Sequence, residues 1–217
     1  NGLSISITCI GEAKKEDIDG GYNIVKGGEV TRRYYPNQKS IKSYLRVILC
    51  QNLELNAIVG RLIKRSLFID NNISFVQGID YGEDFSVLPR VLLFAKRSWV
   101  DDCLYFYLVD HSGSYTNNIT VKNAVSFLKA QQLIGQFMKS SPEWREYRLA
   151  SEIGWVDVWR FARRFNVDEH VVDEYFTLTP SHPLTKALAW LVKSKLPYGV
   201  VNFIYKVART VYVKLST

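Results

Sequence analysis

Gly78-Ile79-Asp80-Tyr81-Gly82-Glu83-Asp84-Phe85-Ser86-Val87-Leu88-Pro89-Arg90 is the stretch on which the reading of this chain turns. A glycine, free to turn sharply, precedes two adjacent carboxylates. Phe85, Val87, Leu88, Val91, Leu92 and Ala95 then recur at helical spacing, which predicts a helix with one buried face. Glu83 and Asp84 fall in its first turn, where the positive end of a helix favours negative charge. On that ground alone the acidic pair is a complement to the helix dipole. Trp99 to Tyr107 follows, rich in strand-forming types, and predicts a strand.

Upstream, Ala57 to Ile63 predicts a strand and Lys64 to Asn71 a short helix or turn. Ser40 to Cys50, behind Pro36, predicts an amphipathic helix with Ile41, Tyr44, Leu45, Ile48 and Leu49 on one side. Tyr22 to Lys26 and Glu29 to Tyr34 flank Gly27-Gly28 as a hairpin would. Glu12 to Gly21, polar and ending in two glycines, predicts a loop, and Leu3 to Ile10 alternates like a strand with one buried face.

Downstream the pattern becomes helical. Val121, Ala124, Val125, Leu128, Leu133, Ile134 and Phe137 predict a long helix capped by Asn118 or Thr120. Ser141-Pro142-Glu143 has the order of a helix start, opening a segment that runs to Phe161 with Gly154 as a potential break. Val167 to Phe176 predicts a third helix capped near Asn166, and His182-Pro183 a fourth, which Pro197 separates from Tyr198 to Leu215. The aromatic residues of these segments fall at core spacing and are expected to pack helix on helix.

The 217 residues, 47% hydrophobic and 23% charged, suit a folded globular chain and not a disordered one. No apolar run reaches the length of a transmembrane helix. Cys9, Cys50 and Cys103 are scattered through apolar segments, with neither metal-site spacing nor a disulfide framework. Asn72-Ile73-Ser74 and Asn118-Ile119-Thr120 match a glycosylation triplet that is common by chance. The net charge is +7, and no acidic residue follows Glu174, whereas Lys186, Lys193, Lys195, Lys206, Arg209 and Lys214 do. The rest of the chain is nearly neutral, so the last fifth carries almost the whole excess and suits an anionic partner. In Tyr198 to Leu215, apolar residues stand among tyrosines and purely basic charge, the composition of a helix lying on an anionic bilayer. A core-packing helix with lysines reaching out to solvent would have the same composition. Nucleic acid is not expected as a partner, because the basic residues are dispersed among apolar ones.

Gly60-Arg61-Leu62-Ile63-Lys64-Arg65-Ser66-Leu67-Phe68, Asn72-Ile73-Ser74-Phe75, Tyr81-Gly82-Glu83-Asp84-Phe85 and Leu104-Tyr105-Phe106-Tyr107 occur in that order. This succession resembles the acceptor half of inverting family 2 glycosyltransferases with the GT-A fold, over residues 55 to 115. The resemblance implies Asp84 as catalytic base, Glu83 and Tyr81 as acceptor-binding residues, and Arg61 and Lys64 as basic groups near the diphosphate or acceptor. His111 would face a metal or leaving group. The chain departs from the family where Ile58 and Val59 stand in place of a tryptophan and Leu108 in place of an arginine. Asp17-Ile18-Asp19 has the form of the family's metal-binding Asp-x-Asp, but its polar setting before a hairpin favours a chance match.

The expected fold is therefore α/β: a partial GT-A-like mixed sheet with helices over residues 1–115, then an all-helical region over 116–217 with a basic amphipathic tail. The chain begins without Met inside a strand-like stretch and is expected to be a fragment, lacking the nucleotide-binding N-terminal half and inactive alone. An apolar sheet edge left open by that loss would favour self-association. The whole enzyme would use a nucleotide sugar and a divalent metal, Mg or Mn, neither held by this part. Its acceptor would be a saccharide or lipid-linked saccharide of polysaccharide or glycolipid synthesis. Its place would be the cytoplasmic face of the cell membrane, touched through residues 182–217. The competing reading is a non-catalytic helical interaction module that docks to membrane or an acidic partner.

Overall fold

The computed structural model describes residues 17–34, 40–50, 56–99, 103, 105–109, 119–175 and 179–216. The expected strand at Leu3 to Ile10, and His111 with its neighbours Asp110, Gly113 and Ser114, lie outside them. Over the described residues the chain is mixed α/β, with two small sheets in its first half and helices alone after Thr120. In the first sheet β1 (Asp17–Asp19) lies between β4 (Arg61–Ile63), antiparallel, and β5 (Arg97–Trp99), parallel. In the second, β2 (Tyr22–Lys26) lies between its hairpin partner β3 (Glu29–Tyr34) and the parallel strand β6 (Tyr105–Leu108).

Two expectations are corrected in the first sheet. Asp17-Ile18-Asp19 is a central strand and not part of a loop. Its short ladder is supported from both sides, and the buried charge of Asp19 is compensated by Arg61, which outweighs the poor strand propensity of Asp. The strand expected over Ala57 to Ile63 shrinks to its last three residues. Gly60, at φ 75°, turns the chain there, and its carbonyl accepts the Gly20 N–H at 2.8 Å. A side chain at position 60 would run into the Gly21 carbonyl oxygen. The strand expected over Trp99 to Tyr107 is likewise two strands in different sheets. The Asn23 side-chain amide anchors the connection by donating to the Cys103 carbonyl at 2.8 Å.

Helix α1 (Ile41–Leu49) is capped by Ser40 and buries Tyr44, Leu45, Ile48 and Leu49. Helix α2 (Arg65–Asp70) is short, and α3 (Glu83–Phe94) is buried around its circumference from Phe85 to Leu92, beyond the single face expected. Phe85, Leu88 and Leu92 join the main core, while Val87 and Val91 join a smaller cluster with Leu67 of α2 and Ile73. Helix α4 (Val121–Ser140) starts from a reciprocal Thr120–Asn123 capping box. Helix α5 (Trp144–Arg164) runs unbroken through Gly154 and starts at Trp144, after a turn at Ser141. Asn166, at φ 53°, ends α5 instead of capping α6 (Glu169–Tyr175), whose first turn is held by Asp168 accepting the His170 N–H. Helix α7 (Pro183–Lys193) is capped by His182, and α8 (Tyr198–Ser216) follows. One continuous core joins α1 and α3 to α4, α5, α7 and α8.

Candidate active site

The acidic pair stands where the sheet region meets the helical region. Gly82 precedes α3 at φ 84°, a conformation that side chains disfavour. A Cβ there would lie 2.6 Å from a ring carbon of Phe127 on α4, so the turn is pressed against the helical core. On its other side the Ser86 hydroxyl donates to the Glu83 carbonyl at 2.6 Å, tightening the first turn. Tyr81 is fixed by the Ser126 hydroxyl, which accepts its N–H at 2.9 Å and donates to its carbonyl at 3.1 Å. Its ring stacks on Phe161 and meets the edge of Phe127. Tyr81 and Gly82, which lead into the pair, are thus locked by packing, and α3 behind it is buried.

Asp84 is half-buried, and its Oδ2 accepts the Ile58 N–H at 3.0 Å. Among the described residues that is its one hydrogen bond, so acceptor capacity remains on the carboxylate. Burial pushes its pKa up, while the Ile58 amide and the Arg61 charge oppose the rise without cancelling it. Glu83 is more exposed. Loss of hydration raises its pKa first, with the Asp84 and Asp80 carboxylates adding to it against backbone N–H groups. The Tyr81 phenol is held protonated by burial, with Glu83 and Tyr107 reinforcing and Arg164 opposing. The Tyr81 phenol thus feels the charges of Glu83, Tyr107 and Arg164, and Glu83 feels that of Asp84.

Arg61 belongs to the same corner but faces inward. Its guanidinium pairs with Asp19 at 3.1 Å, donates to the Tyr44 hydroxyl, and reaches the Ala57 carbonyl through Nε at 3.2 Å. The two charged side chains are 3% and 7% exposed, so Arg61 is no solvated basic edge, and its fork is already engaged. It reaches Asp84 through its charge. Lys64 is exposed just before α2.

The site has members that sequence reading missed. The sequence points to Asp19 only within a chance Asp-x-Asp match and not as a partner of Arg61, and Tyr44 looks like ordinary core. The Ile58 amide has no side-chain signal at all.

Both oxygens of Asp19 are engaged, one by the Gly21 N–H at 3.2 Å and the other by Arg61, an arrangement unsuited to a divalent ion. No group of three or more His, Cys, Asp or Glu able to hold a metal occurs among the described residues. What the corner offers is a carboxylate with raised proton affinity, aimed by a backbone amide from a buried helix, beside a second and more accessible carboxylate. That arrangement can take a proton from a hydroxyl and hold neighbouring hydroxyls. Comparisons with protein-family models, with curated proteins and with solved structures found no match to this chain.

Proposed function

We propose that this chain supplies the acceptor side and the catalytic base of a sugar-nucleotide-dependent glycosyltransferase of polysaccharide or glycolipid synthesis. The observation that carries the reading is Asp84: half-buried, raised in pKa, and oriented by the Ile58 amide on a rigid helix start. A helix-dipole complement needs none of these. Exposed acids at a helix start serve that purpose without desolvation, which disfavours their charge.

In the proposed reaction the acceptor hydroxyl gives its proton to Asp84 as its oxygen attacks the anomeric carbon. The bond from that carbon to the nucleotide diphosphate breaks, the diphosphate leaves with the bonding electrons, and the configuration inverts. Glu83 accepts hydrogen bonds from neighbouring acceptor hydroxyls and sets which of them faces Asp84. Tyr81, held by Ser126 and stacked on Phe161, supplies aromatic surface next to the pair. Donor binding, with its metal and diphosphate, is left in this reading to another part of the enzyme.

The test is turnover in an enzyme carrying this chain together with its donor-binding part. Asp84→Asn keeps the size and the Ile58 contact but cannot take the proton, and should lower turnover by roughly a hundredfold or more with donor binding unchanged. Glu83→Gln should weaken acceptor binding by about fivefold and lower turnover less. Near-normal turnover of a folded Asp84→Asn enzyme refutes the assignment of the base.

A further inference from the structure

Helix α8 has two apolar faces, and only one is packed. Val201 and Tyr205 are fully buried, and the Tyr205 hydroxyl donates to the Ile153 carbonyl of α5 at 3.0 Å. Polar contacts fix the same side: Arg160 of α5 donates to the Tyr198 hydroxyl at 2.6 Å and to the Asn202 side chain at 2.7 Å, and Arg209 reaches Asp157 at 3.6 Å. Val200, Phe203, Ile204, Val207, Val211 and Leu215 form a second stripe at helical spacing, and every one of them is exposed. Phe203 is 69% exposed and Leu215 83%, so the stripe is no fringe of the core. A core-packing helix accounts for the first face and leaves the second unexplained.

The charge around the stripe identifies what covers it. Lys206 and Lys214 are exposed on α8 itself, and Lys186 and Lys195 on and just after α7. No acidic residue lies anywhere from Phe176 to Thr217. A second copy meeting this face with its own would set like charges against them, because residues 176 to 217 contain no acid, whereas an anionic lipid surface neutralises them without any specific match. Trp190 of α7, 71% exposed, is the residue type that settles at the boundary of headgroups and acyl chains. No described helix is long and apolar enough to cross a membrane. From these observations we infer that α8 docks peripherally on an anionic lipid bilayer, its stripe entering the acyl boundary and its lysines meeting the headgroups. The inference is independent of the role given to Asp84.

The test is flotation of the full chain with vesicles of phosphatidylcholine alone and of phosphatidylcholine mixed with an equal amount of phosphatidylglycerol. The chain should float with the mixed vesicles and at least about tenfold less with the neutral ones, and salt should weaken the binding. Phe203→Glu combined with Val207→Glu should reduce binding by at least about tenfold with an unchanged melting curve, because both side chains are exposed. Lys206→Gln combined with Lys214→Gln leaves the stripe intact and should lower the salt dependence. A folded chain that floats with neither vesicle overturns the inference. So does a chain that ignores vesicles but dimerises through the stripe in sedimentation, a dimer lost in the Glu variant.

Discussion

Asp84 and Glu152 are both carboxylates on helices at a junction of elements, and they are treated in opposite ways. Glu152, on α5, is 2% exposed and accepts the N–H groups of Ser181 and His182 at 3.1 and 3.2 Å, the hydroxyls of Ser181 and Thr185, and Arg148 at 3.0 Å. Burial alone would raise its pKa, but these donors together bring it down to about 2. It caps the start of α7 from another helix and has nothing left to offer a ligand. Asp84 accepts one amide and is left with its proton affinity raised. Saturation marks a carboxylate that builds the fold, and partial satisfaction marks one available for chemistry.

The contrast can be broken by substitution, and the largest effect should come from Glu152. Glu152→Ala strands several donors at the α7 start and should cost roughly 3 to 5 kcal/mol in denaturant unfolding, with α7 and α8 losing hydrogen-exchange protection first. An unaltered midpoint would show that Glu152 is dispensable and the contrast false. Next, Gly82→Ala should cost about 2 kcal/mol or more, from the left-handed backbone and the approach to Phe127. Under the proposed function, turnover of an enzyme carrying this chain should fall with it, since the turn aims Asp84. Stability loss without loss of turnover would separate the glycine from the site.

Asp84→Asn should have the smallest effect on stability, within about 0.5 kcal/mol of the parent or slightly stabilising at neutral pH. The two acids also predict opposite pH limbs. Glu152 has a folded pKa below its ordinary value of 4.5, so its contribution is complete well above that value and is lost as pH falls toward about 2. Asp84 has a raised folded pKa, so its ionisation costs stability at neutral pH, and the cost is relieved as pH falls through that raised value. Acid unfolding of Glu152→Gln should lose the first limb. Asp84→Asn should gain on the parent most at neutral pH. A Glu152→Gln curve parallel to the parent's through acid pH would contradict the assigned pKa.

Where side chains follow a period, the sequence was legible. The hairpin at Gly27-Gly28, the capped helix at Ser40, the acidic start of α3 and the long helices after Thr120 all follow from local spacing and capping residues. Long-range pairing was not. β1 is a strand because β4 and β5 flank it, and a three-residue strand with two aspartates carries no local sign of that. The Asp19–Arg61 pair spans 42 positions, so neither residue alone reveals whether it meets solvent, a diphosphate or a partner. In the same way the Ile58 amide was invisible beside the Glu83-Asp84 pair it helps to orient. For α8, composition gave a basic amphipathic helix but could not show that two apolar faces share it. That took the contacts of Tyr205 and Asn202.

Helix α3 contributes to two clusters of buried side chains, and this bears on what can be transplanted. Phe85 and Leu88 are seated among residues of α1, α4 and α5, while Val87 and Val91 hold Leu67 of α2. A chimera that grafts residues 56–99 onto another scaffold would carry the acidic pair without the surface that Phe127 presents to Gly82. The smallest portable version of this corner includes α1, α4 and α5. Recombination that respects the sheet region as a cassette would therefore deliver the carboxylates and lose their aim.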